Sequence, residues 1–377
     1  MALFRMGVRI AVYRGHRPLR RGRTGLPDMF LLATFVWALT FFFLSARARR
    51  PLLALLAALA SGVLLGNLVA TKWIGIGAIA LVWLWIGLSA TLGSAALLPR
   101  IRWWLYPIMF LLVPALTYLL WTVPVVGIPG SVSAAVGEAL FETPCTFGRT
   151  PNPAVQGPTT WLSRVRHWHC TVWNYHAYLT ATHPYGSPWW SWPLLKHPVL
   201  FHLDTSVDPP RRISATGNPI VWWTGFAAVL LTLLSLPVRY WRVLGVSRRG
   251  VEPPSGQGSE QQRGERGGES QRGESRWDSP ASLPRDTSAL HSLFLDLWLV
   301  LGVLGFWLPW VFIQRVAFHY HYFLSFTLTV VLLALWLARL LERPAFRLAV
   351  FGFLLAAAVG FVYLYPSATA TSAFWLR

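Results

Sequence analysis

The chain is 377 residues long, 54% apolar and 12% charged, with a formal net charge of +19 and a mean hydropathy of +0.46. Soluble domains carry about 25% charged residues, so this composition excludes an ordinary soluble globule. Lys72 and Lys196 are the only lysines, and the many arginines are scattered between apolar runs. A nucleic-acid interface would gather them on one basic face. Nucleic acid is thus excluded as a partner, and membrane lipids are what such cationic loops fit.

Residues 1–27 form an Arg-rich segment with no acid before Asp28. It has neither the apolar stretch nor the small-residue cleavage site of a secretory signal. Eight apolar runs follow, each close to the roughly 20 residues a helix needs to cross a bilayer. Four lie in segment 28–126, near 28–48, 52–71, 74–97 and 104–126. The second and third are separated only by Ala70-Thr-Lys-Trp73. A loop rich in Pro and aromatics occupies 127–217, and the fifth run fills 218–238. Residues 239–287 are mostly Gly, Ser, Gln, Arg and Glu, with a rough repeat in Arg263-Gly-Glu-Arg266 and Arg272-Gly-Glu-Ser275. With so little to bury, they read as a disordered cytoplasmic linker. Segment 288–377 holds the last three runs, near 289–311, 317–339 and 346–366, and a tail. The fold class is an all-α polytopic membrane protein.

Arginines follow alternate runs: Arg47, Arg49 and Arg50 the first, Arg100 and Arg102 the third, Arg239 and Arg242 the fifth, Arg339 and Arg343 the seventh. Cationic loops stay cytoplasmic, so 127–217 is external. The same count leaves the Arg-rich amino terminus external too, against the trend, as if the chain once continued upstream.

The external loop holds the only cysteines, Cys145 and Cys170. On that side they form either a disulfide or a pair of free thiols. From Asn174 to Leu195 the loop spends Trp189, Trp190, Trp192, Tyr175, Tyr178 and Tyr185 freely. Such rings suit a membrane surface or a substrate groove, with an apolar body and a polar tip. His176 and His183 are seven apart, two turns of one helical face, but Pro184 ends a helix there. His167, His169, His176 and His183 match no zinc spacing and have no carboxylate among them, so no metal is expected.

Several of these stretches resemble the protein O-mannosyltransferases, bacterial type. In the loop they are His169, Trp173-Asn-Tyr-His176, His183-Pro-Tyr-Gly-Ser187 and Trp189-Trp-Ser-Trp-Pro193. Gly217-Asn-Pro219 with Trp222-Trp223, and Arg315-Val-Ala-Phe-His-Tyr-His-Tyr322, lie further on. Upstream are Leu26-Pro-Asp-Met-Phe30, Gly62-x-x-x-Gly66 and Ala70-Thr-Lys-Trp-Ile-Gly75. The resemblance implies a GT-C fold, a bacterial plasma-membrane setting, and transfer of mannose from a polyprenyl-phosphate carrier to Ser or Thr of an acceptor protein, with no cofactor. It also implies an Asp-Glu pair in a first external loop, and the chain has no Asp-Glu dipeptide. The chain therefore reads as the carboxy-terminal two-thirds of such an enzyme, with a separate N-terminal half as a possible partner.

Such transfer needs a base for the hydroxyl and cationic donors for the departing phosphate. On the resemblance, Lys72, Arg315, His319 and His321 are donor-phosphate candidates. Asn174, His176, His183, Tyr185, Trp189 and Trp192 are acceptor or sugar candidates, and Asp28 and Asn218 are structural supports. No residue stands out as the catalytic base. Two other classes stay open: a non-catalytic or truncated homologue that holds donor or acceptor for another subunit, and a lipid transporter, against which the chain lacks paired broken spans in two halves.

Overall fold

The computed structural model describes residues 27–91, 97–126, 145, 160–206, 211–249 and 287–369. Eight helices among them are long and apolar enough to cross a membrane, at the eight runs expected. The first two are α1 (Pro27–Arg47) and α2 (Pro51–Thr71); a 3-10 turn, Trp73–Gly75, leads into α3 (Ile76–Thr91). A short turn, Leu105–Pro107, and a π segment, Ile108–Leu112, lead into α4 (Val113–Val126). The external loop carries α5 (Trp161–Ala177), a 3-10 turn at Trp189–Leu194, and the strands β1 (Leu200–Asp204) and β2 (Arg211–Ser214). Then come α6 (Pro219–Arg249), α7 (Thr287–Trp307), 3-10 turns at Leu308–Phe312 and His319–Tyr322, α8 (Phe323–Leu341) and α9 (Pro344–Thr369).

Proline starts α1, α2, α6 and α9. In the first helical turn its missing N–H costs nothing and its fixed φ suits the helix. Lys72 ends α2 by turning extended, with φ −154° and ψ 139°. α2 comes close to α4 and the π segment before it at two glycines, Gly62 and Gly66. A Cβ on Gly62 would lie 2.2 Å from the Met109 carbonyl oxygen, and one on Gly66 2.5 Å from Thr117 Cβ. Small residues replace the hydrophobic effect as the device for helix contact inside lipid.

The main core joins α1, α3, α7 and α8 through aromatic edges. The Trp85 ring lies 4.5 Å from Phe294 and 5.1 Å from Trp298, and Phe42 meets Phe110 at 5.3 Å. Outward, apolar side chains such as Leu234, Leu348 and Leu355 stay exposed, as a lipid-facing surface requires.

Two expectations need correction. The expected linker 239–287 begins with helix, since α6 runs unbroken to Arg249. Hydropathy falls where the bilayer ends, whereas backbone hydrogen bonding continues into the headgroup layer. The external loop also adds strand to the helical class: β1 and β2 pair antiparallel, with a bulge between Leu200 and His202. The Arg-rich segment before residue 27, loop residues 127–144 and 146–159, and linker residues 250–286 lie outside the described residues.

Candidate functional site at the external helix ends

The ends of α2, α4 and α7 on the side of α5, helix α5 itself, and the segment before α8 enclose a cavity of about 1060 Å³. Its polar lining includes Lys72, Tyr118, Tyr175, His176, Thr182, His183, Arg315, Tyr320 and His321, set among Trp73, Trp121, Trp173 and Trp310.

Helix α5 forms one wall. Thr160 and Ser163 close a capping box at its start, with Thr160 Oγ1 accepting from Ser163 N at 3.2 Å and Ser163 Oγ from Thr160 N at 3.0 Å. His169 docks the helix onto the bundle: its ring stacks on Trp73 at 5.7 Å and its Nε2 lies 2.7 Å from the Tyr118 hydroxyl. Trp73 Nε1 donates to the same hydroxyl at 3.1 Å. A disulfide joins Cys145 to Cys170, which settles the open thiol question. Asn174 Nδ2 lies 3.4 Å from Cys145 Sγ. Asn174 thus sits against the disulfide and does not line the cavity.

The helix stops at Ala177, six residues before His183, so His176 and His183 never share a helical face. They still meet the same cavity, His183 from the loop. His183 Nδ1 accepts from Tyr185 N at 3.1 Å, and its ring meets Phe318 at 5.1 Å. Tyr185 itself lies off the lining.

Two cations reach the cavity. Lys72 Nζ lies 2.5 Å from Asp28 Oδ1 and 5.3 Å from the centre of the Tyr320 ring. Burial of Asp28 at the start of α1 explains the pair, since a carboxylate in an apolar setting needs a partner. Arg315 lies over Trp310 at 5.9 Å and donates to the Val316 carbonyl at 3.3 Å. Among the described residues it has no carboxylate within ion-pair distance. Burial pulls its pKa below the usual arginine value, partly opposed by Tyr320 and Tyr175. The His176 pKa is lowered too, first by burial and then by Arg315.

Of the paired histidines before α8, only His321 lines the cavity. Its ring is packed between Trp310 at 4.3 Å and Trp192 at 6.0 Å. His319 points into the protein and is 1% exposed, which corrects its placing among phosphate contacts. Trp192 is wholly buried: Nε1 donates to Ser187 Oγ, and its carbonyl accepts from Trp222 Nε1, both at 2.9 Å. The Trp189 carbonyl accepts from Trp307 Nε1 at 2.9 Å. These two rings seat the loop on the bundle and line no groove; Trp190 is the exposed one. Asn218 accepts from Ile220 N at 3.0 Å at the start of α6 and donates to the Ala357 carbonyl of α9 at 2.7 Å.

Sequence reasoning missed Tyr118 and Trp310. Each stands among other aromatics in an apolar run, where a ring reads as belt or core. Among the described residues no three His, Cys, Asp or Glu side chains gather in a way that could hold a metal.

Residues 161–258, from α5 past the end of α6, match the family described as "C-terminal four TMM region of protein-O-mannosyltransferase". No curated protein matches the sequence. Among solved structures, the chain is similar to the S. cerevisiae protein O-mannosyltransferase Pmt1-Pmt2 complex bound to the sugar donor. The identity is 13% and the TM-score 0.61, over 92% of this chain and 71% of that one. The likeness is one of fold, an integral multi-pass helical architecture of GT-C type. Over residues 161–258 the chain is thus similar in sequence to the carboxy-terminal region of the protein O-mannosyltransferases, and over most of its length it shares their fold.

Proposed function

We propose that the cavity is the donor side of a mannosyl-transfer site at the external face of a bacterial plasma membrane. The observation that carries this is the meeting of Lys72 and Arg315 on one aromatic-walled cavity at the external helix ends. Arg315 is the better phosphate ligand, because it has no carboxylate partner among the described residues, whereas Lys72 is held by Asp28. A polyprenyl-phosphate mannose would place its phosphate between the two cations. The Ser or Thr oxygen then bonds to the sugar C1, the C1–phosphate oxygen bond breaks, and the cations stabilise the phosphate that leaves.

The hydroxyl proton needs a base. Among the described residues the cavity lining contains no carboxylate, and Asp28 is engaged with Lys72. His176 and His183 face the cavity and can order an acceptor, but the Asp-Glu pair that the family resemblance implies would lie outside the sequence described. The same observation supports a second reading, in which this chain only holds the donor for another subunit. The donor-bound, two-subunit neighbour fits either reading.

The test is mannosyl transfer from labelled polyprenyl-phosphate mannose to a Ser/Thr-rich peptide in membranes expressing this chain, alone and with an N-terminal half carrying the Asp-Glu loop. Transfer seen only on co-expression, and lowered at least tenfold by Arg315→Ala, is the expected result. Donor binding without transfer under either condition supports the holding role. No donor binding at all overturns both readings.

A further inference from the structure

At the other end of the molecule, three helices meet around one buried acid. Asp296 of α7 is fully buried and accepts from two arginines. Arg239 of α6 reaches its Oδ2 at 2.5 Å, and Arg339 of α8 reaches Oδ2 and Oδ1, each at 2.8 Å. Ser292, one turn before Asp296, accepts a further bond from each guanidinium, at 3.2 and 3.1 Å. All four residues lie within or beside candidate spans: Arg239 is three residues from the end of Pro219–Arg242, and Arg339 two from the end of His319–Leu341.

Among the described residues the charges do not balance. One carboxylate neutralises one guanidinium, and the second positive charge is left at the edge of the hydrocarbon. A charge in that layer is costly unless paired. Glu342 next to the site is outnumbered by Arg242, Arg343 and Arg347, all exposed. The guanidiniums themselves are only partly covered, at 29% and 35% side-chain exposure. Tyr240 and Trp241, exposed beside Arg239, mark the headgroup level, where such rings settle. A cation open at that height, between helices, is met by a phosphate group.

We propose that Arg239 and Arg339, held by Asp296, form a binding site for the phosphate of an anionic phospholipid of the cytoplasmic leaflet. The site is independent of the external cavity and of any transfer activity. The phosphodiester contributes the missing negative charge, while Asp296 holds the two guanidiniums side by side so that both face it. Arginine suits this role because its planar fork bonds carboxylate on one edge and phosphate on another.

The full chain, purified in detergent, is titrated with phosphatidylglycerol, phosphatidylcholine or inorganic phosphate, and bound lipid is counted by native mass spectrometry. Arg239→Gln and Arg339→Gln are the informative variants, since each leaves Asp296 with one arginine in a neutral pair and so preserves the fold. Phosphatidylglycerol should be retained by the wild type and bound at least tenfold more weakly by either variant, with thermal unfolding of the lipid-free proteins little changed. Arg102→Gln, on a different cytoplasmic loop, should bind as the wild type does. Equal retention of phosphatidylcholine overturns the proposal, as does phosphatidylglycerol binding within twofold of wild type in both variants. Displacement of the lipid by millimolar inorganic phosphate overturns it as well, by making the ligand a soluble anion.

Discussion

Lys72 and Asp28 are 44 residues apart in sequence and 2.5 Å apart in space, because α1 and α2 are antiparallel and both residues sit at the external end. Lys72 therefore has two roles to separate, ion pairing and ligand binding. Lys72→Ala leaves the buried Asp28 carboxylate without its partner, and an unsatisfied buried group costs about 1–3 kcal/mol. The thermal midpoint in detergent should fall accordingly. Asp28→Asn combined with Lys72→Met, a neutral pair of similar volume, should recover the stability but not the donor binding. Recovery of both would remove Lys72 from the site. His176 gives a pH signature. Its folded pKa is below the ordinary 6.5, so the unfolded chain takes up the proton first as pH falls. Stability contributed by neutral His176 is therefore complete above about pH 6.5 and is lost as pH falls from there toward the lower folded value. His176→Gln should flatten this acid limb in unfolding curves measured from pH 7.5 to 5; an unchanged limb would assign the acid sensitivity elsewhere.

At the scale of elements, the external cavity depends on how closely α2 approaches α4, because Lys72 leaves one helix and Tyr118 stands on the other. Gly66→Leu puts a branched side chain where a Cβ already lies 2.6 Å from the Pro114 carbonyl oxygen. The backbone cannot yield cheaply, and overpacking costs about 1–3 kcal/mol or more. The variant should unfold at lower temperature and lose donor binding together, whereas Gly87→Leu, with open space around its Cβ, should change neither. The helices themselves were legible in the sequence because a bilayer imposes length and apolarity. Their ends were less so: α6 passes Arg239 without a break, since a charge ends the apolar run and leaves the helix intact. The hairpin of β1 and β2 gave no warning, its short strands carrying arginine and no clean alternation.

At the scale of the whole molecule, the family resemblance brought Lys72, Arg315, His176, His183 and His321 into view, and the fold brings those five to one cavity. The same reading placed Trp189, Trp192, His319, Asn174 and Tyr185 there, and the fold does not. Composition says that a tryptophan seeks burial with its N–H satisfied; it does not say against what. Trp192 finds Ser187 and the Trp310 ring, so its burial serves docking. Asp296 was visible as a carboxylate inside a span, but its two arginines are 57 and 43 residues away, beyond any local pattern.

The loop and the cation share one anchor. Ser187 N donates to the Ala317 carbonyl at 2.9 Å, two residues from Arg315, and the neighbouring Trp192 ring packs on Trp310, beneath the guanidinium. Lifting the aromatic loop away from the bundle therefore pulls on the very segment that holds the guanidinium at its height. Access for a long-tailed substrate and the electrostatic strength of the chamber it enters are geared to each other. A loop of different length would tune the second simply by altering the first.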